Sequence, residues 1–263
     1  METSLITLST DFGLTDPYVG IMKGVILSVN PEARIVDLTH GIPSHDILAG
    51  ALALRSAYGY FPPGTVHVVV VDPGVGSRRR PILVATENYR FLGPDNGVLS
   101  FVLQLEKGQI FHLTETRYFC KTVSQTFHGR DIFAPVAAHL SLGTAAEAFG
   151  EPVQDPVVVE WPEPRRLGER KILGRILRID RFGNLITNVT QQDLTNLGTF
   201  SKLVIQIGGH QIARLCRSYA EAKPGEPFAI FGSAGLLEIS VNQASAEQLL
   251  GVQSQTEFEL EIR

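Results

Sequence analysis

The chain has 263 residues, 44% of them hydrophobic, enough to bury one large core or two modest ones, which excludes a disordered polypeptide. A formal net charge of -4, with both signs interspersed, gives no broad basic field and argues against nucleic acid as the main partner. Cys120 and Cys216 lie far apart without CxxC or CxxH spacing, so neither a disulfide framework nor a metal site is expected, and a cytoplasmic location fits. The first residues, METSLITLSTDFG, enter a strand at once with no basic segment ahead of an apolar stretch, so no signal peptide is expected. No apolar run approaches the ~20 residues of a membrane span.

From residue 4 to about 150, apolar strands alternate with amphipathic helices, which predicts an α/β unit with a mostly parallel sheet flanked by helices. Leu5 to Ser9 reads as a strand ending in a polar turn with Asp11. Asp16-Pro17 reads as N-cap and first helical residue, followed by Val19, Met22, Val25, Ile26 and Val29 at helical spacing. A strand is expected near Ile35–Leu38, a helix over roughly Asp46–Tyr58, and an apolar strand ending at Asp72. GPDNG at 93–97 reads as a turn opening another helix, and Asp131–Leu142 as the last helix of this half.

Four prolines between Glu151 and Arg170 suit a linker, and three segments are expected: a unit over 1–155, a linker over 156–170 and a second unit over 171–263. The second unit reads as an all-β, barrel-like domain, with strands at Ile172–Ile179, Leu185–Val189, Leu203–Ile207, Pro227–Phe231, Leu236–Val241 and Glu257–Ile262. One short helix is expected at Ala244–Leu250.

Several residues carry chemical signals. Asp11 beside a glycine turn could hold a ribose diol or could cap the next helix; capping is the better reading of Asp16. The stretch VVVVDPGVGSRRR places Asp72 at a strand end, where ligands settle in open parallel sheets. Three successive arginines usually form a solvated patch, yet Arg79 could fold back over the turn and offer its fork to Asp72. His128, in FHGRD ahead of a helix, has the most site-like context of the seven histidines and the chemistry of a general base. His67 and His139 read as packing residues. In the second unit, Asp180, Phe182 and Asn184 interrupt a β-rich run, and Phe182 reads as a face for stacking on something flat. Glu238, in an otherwise apolar strand, reads on its own as an outward-facing position. There is no HExxH or DxD spacing to support a metal-dependent hydrolase.

Taken in order, STDFG, DPGVGS with its arginines, GPDNG, FHGRD, DRFGN and GSAGLLEISVN resemble the S-adenosyl-L-methionine (SAM) hydroxide adenosyltransferases, the adenosyl-forming SAM hydrolases related to the SAM-dependent fluorinase and chlorinase. The resemblance spans essentially the whole chain. It implies an N-terminal α/β domain, a C-terminal β-barrel domain and a homotrimer whose active sites lie between neighbouring subunits. It also implies that Asp11 holds the ribose hydroxyls, that Asp72, Arg79 and His128 form a water-activating triad, and that Asp180 and Ser233 grip the methionine end. Phe182, Asn184 and Tyr219 would contact the adenosyl part, and Glu238 joins the substrate-binding set. SAM would be the substrate, adenosine and L-methionine the products, with no cofactor.

Departures separate the branches of that superfamily. The halogenating enzymes have tyrosine and threonine at the positions of Asp72 and Val75, and tyrosine and serine at those of His128 and Gly129. The fluorinase also carries a long insertion that this chain lacks after Arg80. Gly232 stands where some relatives have asparagine, and Ala234 where the halogenating enzymes have arginine, two differences that bear on the methionine carboxylate. Expulsion of a neutral thioether needs no general acid, and a guanidinium cannot serve as base. Two versions follow: His128 or Asp72 takes the proton of water, with His128 as acceptor the favoured form, Asp72 orienting it and Arg79 fixing the charge balance; or Arg79 and His128 hold a hydroxide and no residue acts as base. Competing readings are an adenosyl halide synthase and a non-catalytic SAM or adenosine binder.

Overall fold

The computed structural model describes residues 5–199 and 201–263. These fall into two compact units, one running to Glu160 and the other starting at Trp161. The first unit contains, in chain order, β1 (Leu5–Thr10), α1 (Tyr18–Val29), β2 (Arg34–Thr39), α2 (Ile47–Ala57), β3 (Val66–Val70), β4 (Pro81–Thr86), β5 (Arg90–Pro94), α3 (Ser100–Leu105), β6 (Gly108–Leu113), α4 (Ala134–Ser141) and β7 (Gly150–Pro152). Its sheet has the order β2-β1-β3-β5-β4-β6-β7.

That sheet is mixed rather than mostly parallel. The β2-β1-β3-β5 half is parallel, whereas β5-β4, β4-β6 and β6-β7 are antiparallel. The reason is local: β4 and β5 form a hairpin around Glu87-Asn88, closed by Thr86 N–H to the Tyr89 carbonyl and Tyr89 N–H to Thr86 Oγ1, both 3.0 Å. Gly93 and Pro94, expected to open a helix, are the end of β5, and α3 begins only at Ser100.

Alternation along β3 feeds two cores. Val66, Val68 and Val70 pack with Met22 and Ile26 of α1 and Val136 of α4. Val69 and the following Val71 pack on the other face with Ala49 and Leu54 of α2 and Val102 of α3. A strand buried on both faces is the middle layer of a helix-sheet-helix stack. Asp46 caps α2 by accepting the Ala49 N–H at 2.9 Å. A Cβ at Gly50 would lie 2.9 Å from Val71, so glycine lets α2 rest directly on the sheet.

The second unit contains β8 (Arg165–Arg166), β9 (Lys171–Ile179), β10 (Leu185–Thr190), α5 (Gln191–Leu197), β11 (Leu203–Ile207), β12 (His210–Ile212), β13 (Leu215–Cys216), β14 (Pro227–Phe231), β15 (Leu236–Val241), α6 (Ala246–Leu250) and β16 (Glu257–Ile262). Its strands form one sheet in the order β12-β11-β16-β9-β10-β15-β14-β13, with β8 on β9. β12 also touches β14, so the sheet curls on itself around an aliphatic core from Ile172 to Ile262. The unit is not purely β. Alongside the expected α6 stands α5, which starts with a capping box formed by Thr190 and Asp193. The proline-rich segment is bonded at both ends: Val157 N–H donates to Asp95 and Val159 N–H to Ser100 Oγ, at 2.7 and 2.8 Å, while β8 pairs with β9. No described helix is long and apolar enough to cross a membrane.

His67 sits in the middle of β3, fully buried, stacked on Phe91 with ring centroids 5.1 Å apart and bonded through Nδ1 to Thr7 Oγ1 at 2.7 Å. Burial pushes its pKa down to about 3, so the folded state binds the neutral ring. Its contribution to stability is therefore complete above the ordinary value of 6.5 and is lost as pH falls toward 3. Denaturant titrations at several pH values should show the wild type losing stability below pH 6.5 more steeply than His67→Leu, by about 1.4 kcal/mol per pH unit. Equal slopes would contradict this.

Candidate active site

β1 has β2 on one side and β3 on the other, so the chain winds away in opposite directions from the gap between β1 and β3. Crevices at such switch points, outside the carboxyl ends of the strands, are where α/β sheets bind ligands. The strands run in register, Thr10 beside Val70, so Asp11 and Asp72 leave the same edge. Both line a cleft of about 260 Å³, together with His128, Phe12, Tyr18 and His45.

Asp11 does not cap α1. Its Oδ2 accepts the backbone N–H of His45 at 2.9 Å, and among the described residues Oδ1 has no hydrogen-bond partner. Asp16 does not cap either: α1 starts after Pro17 with no side-chain cap, because the proline itself presets the first turn.

Arg79 turns back onto Asp72, as its rigid fork allows. Its Nε lies 2.9 Å from each carboxylate oxygen and its Nη2 also bonds Oδ2. The two side chains are only 7% and 5% exposed, so this arginine is not part of a solvated patch. The same Nη2 donates to His128 Nδ1 at 2.8 Å, and the guanidinium lies over the Phe133 ring, 5.7 Å from its centroid. Asp72 thus orients Arg79, and Arg79, not Asp72, meets the imidazole.

Two local features bring His128 there. Gly76, at φ +75°, packs where a Cβ would strike the Gln125 carbonyl, which seats the DPGVG turn against the loop ahead of His128. That loop is pinned by buried Asp131, which accepts the Ser124 N–H at 2.8 Å and pairs with Arg130 at 2.6 Å. His128 then leads into a π-helical turn, Gly129–Phe133, before α4, so the last helix begins with a wider turn than the sequence predicts.

An arginine can only donate, so His128 Nδ1 is an acceptor and the proton of the neutral ring sits on Nε2. Burial, and next the Arg79 cation, lower the pKa of His128, against the opposing pull of Asp72, of Asp131 and of a hydrogen bond to the Ser124 backbone. The site therefore holds a neutral imidazole fixed in one tautomer.

The remaining expected residues lie in the second unit, around a cavity of about 910 Å³ lined by Asp180, Phe182, Asn184, Tyr219, Ser233 and Glu238. Asp180 organises the turn after β9: Oδ1 accepts the N–H groups of Phe182 and Asn184 at 2.8 and 2.9 Å, and Oδ2 accepts Asn184 Nδ2 at 2.9 Å. Phe182 is left 77% exposed at the tip. Glu238 is not a plain outward strand position. It is partly buried, accepts the Tyr219 hydroxyl at 3.1 Å and fills the space beside Gly232, where a Cβ would meet its Oε1. Burial, with Asp180 nearby, raises its pKa, although Tyr219 and Arg178 pull it down.

The structure thus gathers Asp11, Asp72, Arg79 and His128 in one unit and the other six in the second. Sequence reading missed His45, a non-glycine residue at φ +66° whose amide clamps Asp11, and Arg178, Gln243 and Ser245 of the second cavity. Arg178 stands two residues before Asp180, a spacing that places both on one face of a strand end.

Family models for the SAM hydroxide adenosyltransferase N-terminal and C-terminal domains match residues 6–150 and 174–259. The chain is 38% identical to an (R)-S-adenosyl-L-methionine hydrolase of Thermus thermophilus, covering 92% of this chain and 94% of that protein. It is 37% identical to the protein of the same name from Methanocaldococcus jannaschii, covering 97% and 95%. A fluorinase of Nocardia brasiliensis is more distant, 28% identical over 92% and 91%. A crystal structure of an uncharacterized conserved protein from Thermotoga maritima superposes with a TM-score of 0.91 at 36% identity, covering 97% of this chain and 99% of the other.

The tautomer and the lowered pKa are measurable. Nitrogen-resolved NMR should find His128 neutral at pH 7, protonated on Nε2, and titrating below the ordinary 6.5. Arg79→Gln should move the midpoint upward, since it removes a cation and leaves the Asp72 charge. A wild-type midpoint at or above the ordinary value would contradict the arrangement.

Proposed function

The chain belongs to the SAM hydroxide adenosyltransferase family, and from that premise we propose that it hydrolyses S-adenosyl-L-methionine to adenosine and L-methionine. The Asp72–Arg79–His128 chain at the edge of the cleft carries this reading. The relatives at 37–38% identity are named for the (R) form of the substrate, and we extend that preference for one sulfonium epimer to this chain.

A hydroxide oxygen forms a bond to the 5′ carbon as the carbon–sulfur bond breaks, and both electrons of that bond leave with methionine as a neutral thioether. The cation of the sulfonium and the charge of the hydroxide cancel, so no acid is needed at the leaving group. What the protein supplies is position and a desolvated donor set for the nucleophile. With its Nδ1 occupied by Arg79, His128 offers Nε2–H to the hydroxide rather than a lone pair to water. This supports the version in which the site holds a hydroxide and no residue acts as base. Asp11 would take the ribose hydroxyls through Oδ1. In the second unit, Phe182, Asn184 and Tyr219 would hold the adenosyl part, and Asp180, Ser233 and Glu238 the methionine part. No cofactor takes part in this scheme, and a cytoplasmic location belongs to the same proposal.

The two residue sets fit a homotrimer in which each active site takes its triad from one subunit and its methionine and adenosyl contacts from the next. Co-assembly of His128→Ala with Asn184→Ala tests this: shared sites would restore activity in about a quarter of sites, half of the triads meeting half of the intact partners. Persistent inactivity of the mixture would contradict it.

Turnover in water enriched in heavy oxygen tests the chemistry itself. Mass spectrometry should find the label in adenosine, with no halogenated nucleoside in the presence of chloride, and His128→Ala should slow the reaction roughly a hundredfold or more. Binding of SAM without adenosine above the level of the variant would overturn the hydrolase reading.

A further inference from the structure

One polar chain, buried at Thr10 and His40 and reaching the surface at Asp37 and Lys23, lies next to the cleft and has no part in the scheme above. His40, just past β2, is 5% exposed. Its Nδ1 is 2.8 Å from Thr10 Oγ1, and its Nε2 lies 3.0 Å from Asp37 Oδ1, an ion-pair distance without an aligned hydrogen bond. Asp37 in turn takes Lys23 Nζ at 2.6 Å, and Thr10 Oγ1 accepts the Phe12 N–H at 3.2 Å. The backbone of His40 belongs to the same arrangement, because its carbonyl accepts the Gly13 N–H at 2.8 Å.

The donors and acceptors have one consistent direction. A carboxylate only accepts, so the His40 proton sits on Nε2 facing Asp37, which leaves Nδ1 to accept the Thr10 hydroxyl proton. Thr10 then keeps its lone pairs for Phe12 N–H. Burial alone would raise the pKa of Asp37, but the bonds from Lys23 and His40 more than offset it, and the carboxyl stays below its usual range as the anion this polarity needs. His40 therefore grips the chain on both sides of Asp11, at Thr10 through its ring and at Gly13 through its carbonyl. Further along the same loop, His45 N–H holds Asp11 Oδ2.

We propose that His40, backed by Asp37 and Thr10, is a positioning residue that fixes the Asp11 carboxylate for the ribose diol of the nucleoside. The proposal rests on the reading of Asp11 as the ribose ligand. The ring is bonded away from the cleft and touches no reacting atom, so its effect belongs to recognition of the ribose rather than to the bond-breaking step.

A thermodynamic cycle between protein and ligand tests it. Calorimetry would compare adenosine with 2′,3′-dideoxyadenosine on the wild type, His40→Leu and His40→Asn. Two hydroxyls on a carboxylate should give the wild type roughly ten- to a hundredfold preference for adenosine. In His40→Leu that preference should shrink about tenfold, with KM for SAM rising and kcat at saturation nearly unchanged. His40→Asn, whose amide oxygen can stand near Nδ1 and accept the Thr10 hydroxyl, should recover most of the preference. Should His40→Leu fail to fold, Thr10→Val and Asp37→Asn carry the same cycle. A wild-type preference left intact in the variants would overturn the role of His40 alone. A wild type with no preference at all would overturn the ribose reading of Asp11, and the positioning role with it.

Discussion

The guanidinium of Arg79 joins a carboxylate at one strand end to an imidazole on a separate loop, in a place where 7% of its side chain is exposed. Its charge is permanent, so it dictates the hydrogen-bond role of both neighbours: Asp72 faces it as an acceptor, and His128 must present a bare Nδ1. The buried Asp72–Arg79 pair is costly to break by removing either member, and the Arg79–His128 bond ties its turn to the second loop. The chemistry assigned to the site follows from that order, carboxylate, guanidinium, imidazole. An imidazole contacted directly by a carboxylate would carry its proton on the contacted nitrogen and keep the other bare to act as a base, whereas here the outer nitrogen carries the proton and is left as a donor.

That arrangement depends on a sheet edge. β1 and β3 are parallel neighbours in register, and their turns place Asp11 and Asp72 side by side at the switch in winding direction. Helices on both faces hold those strand ends rigidly, and the loops between them carry the polar groups. The antiparallel half of the sheet has no such crevice, and its loops serve other ends, such as the Arg80–Asp95 pair that accepts Val157.

Much of this is legible in the residues themselves. The strand-turn boundaries at Asp11 and Asp72 follow from apolar runs that stop at Asp and Gly, and four of the six strands expected in the second unit have the expected bounds, while Lys171–Ile179 begins one residue early and Leu185–Thr190 ends one residue late. The parallel reading of the first sheet fails at VATENYRFLG, where a two-residue turn between alternating strands makes a hairpin, a signal present but short beside the apolar run before it. The fold-back of Arg79 onto Asp72 follows from its spacing, but its contact with His128 is set by the seating of Gly76 on Gln125, a tertiary event with no local pattern. Glu238 illustrates the same limit. Period-two alternation puts it outward, and only the structure reveals that outward means toward a cavity.

The central claim is that His128 acts through a fixed Nε2–H and not as a base, and the most direct measurement compares His128→Gln with His128→Ala at saturating SAM. Glutamine can place an amide N–H close to where Nε2–H stands but cannot accept a proton. The account predicts that His128→Gln keeps activity at least tenfold above His128→Ala, roughly the worth of one donor to an anion. Equal collapse of the two variants would contradict it and return the imidazole to the role of general base.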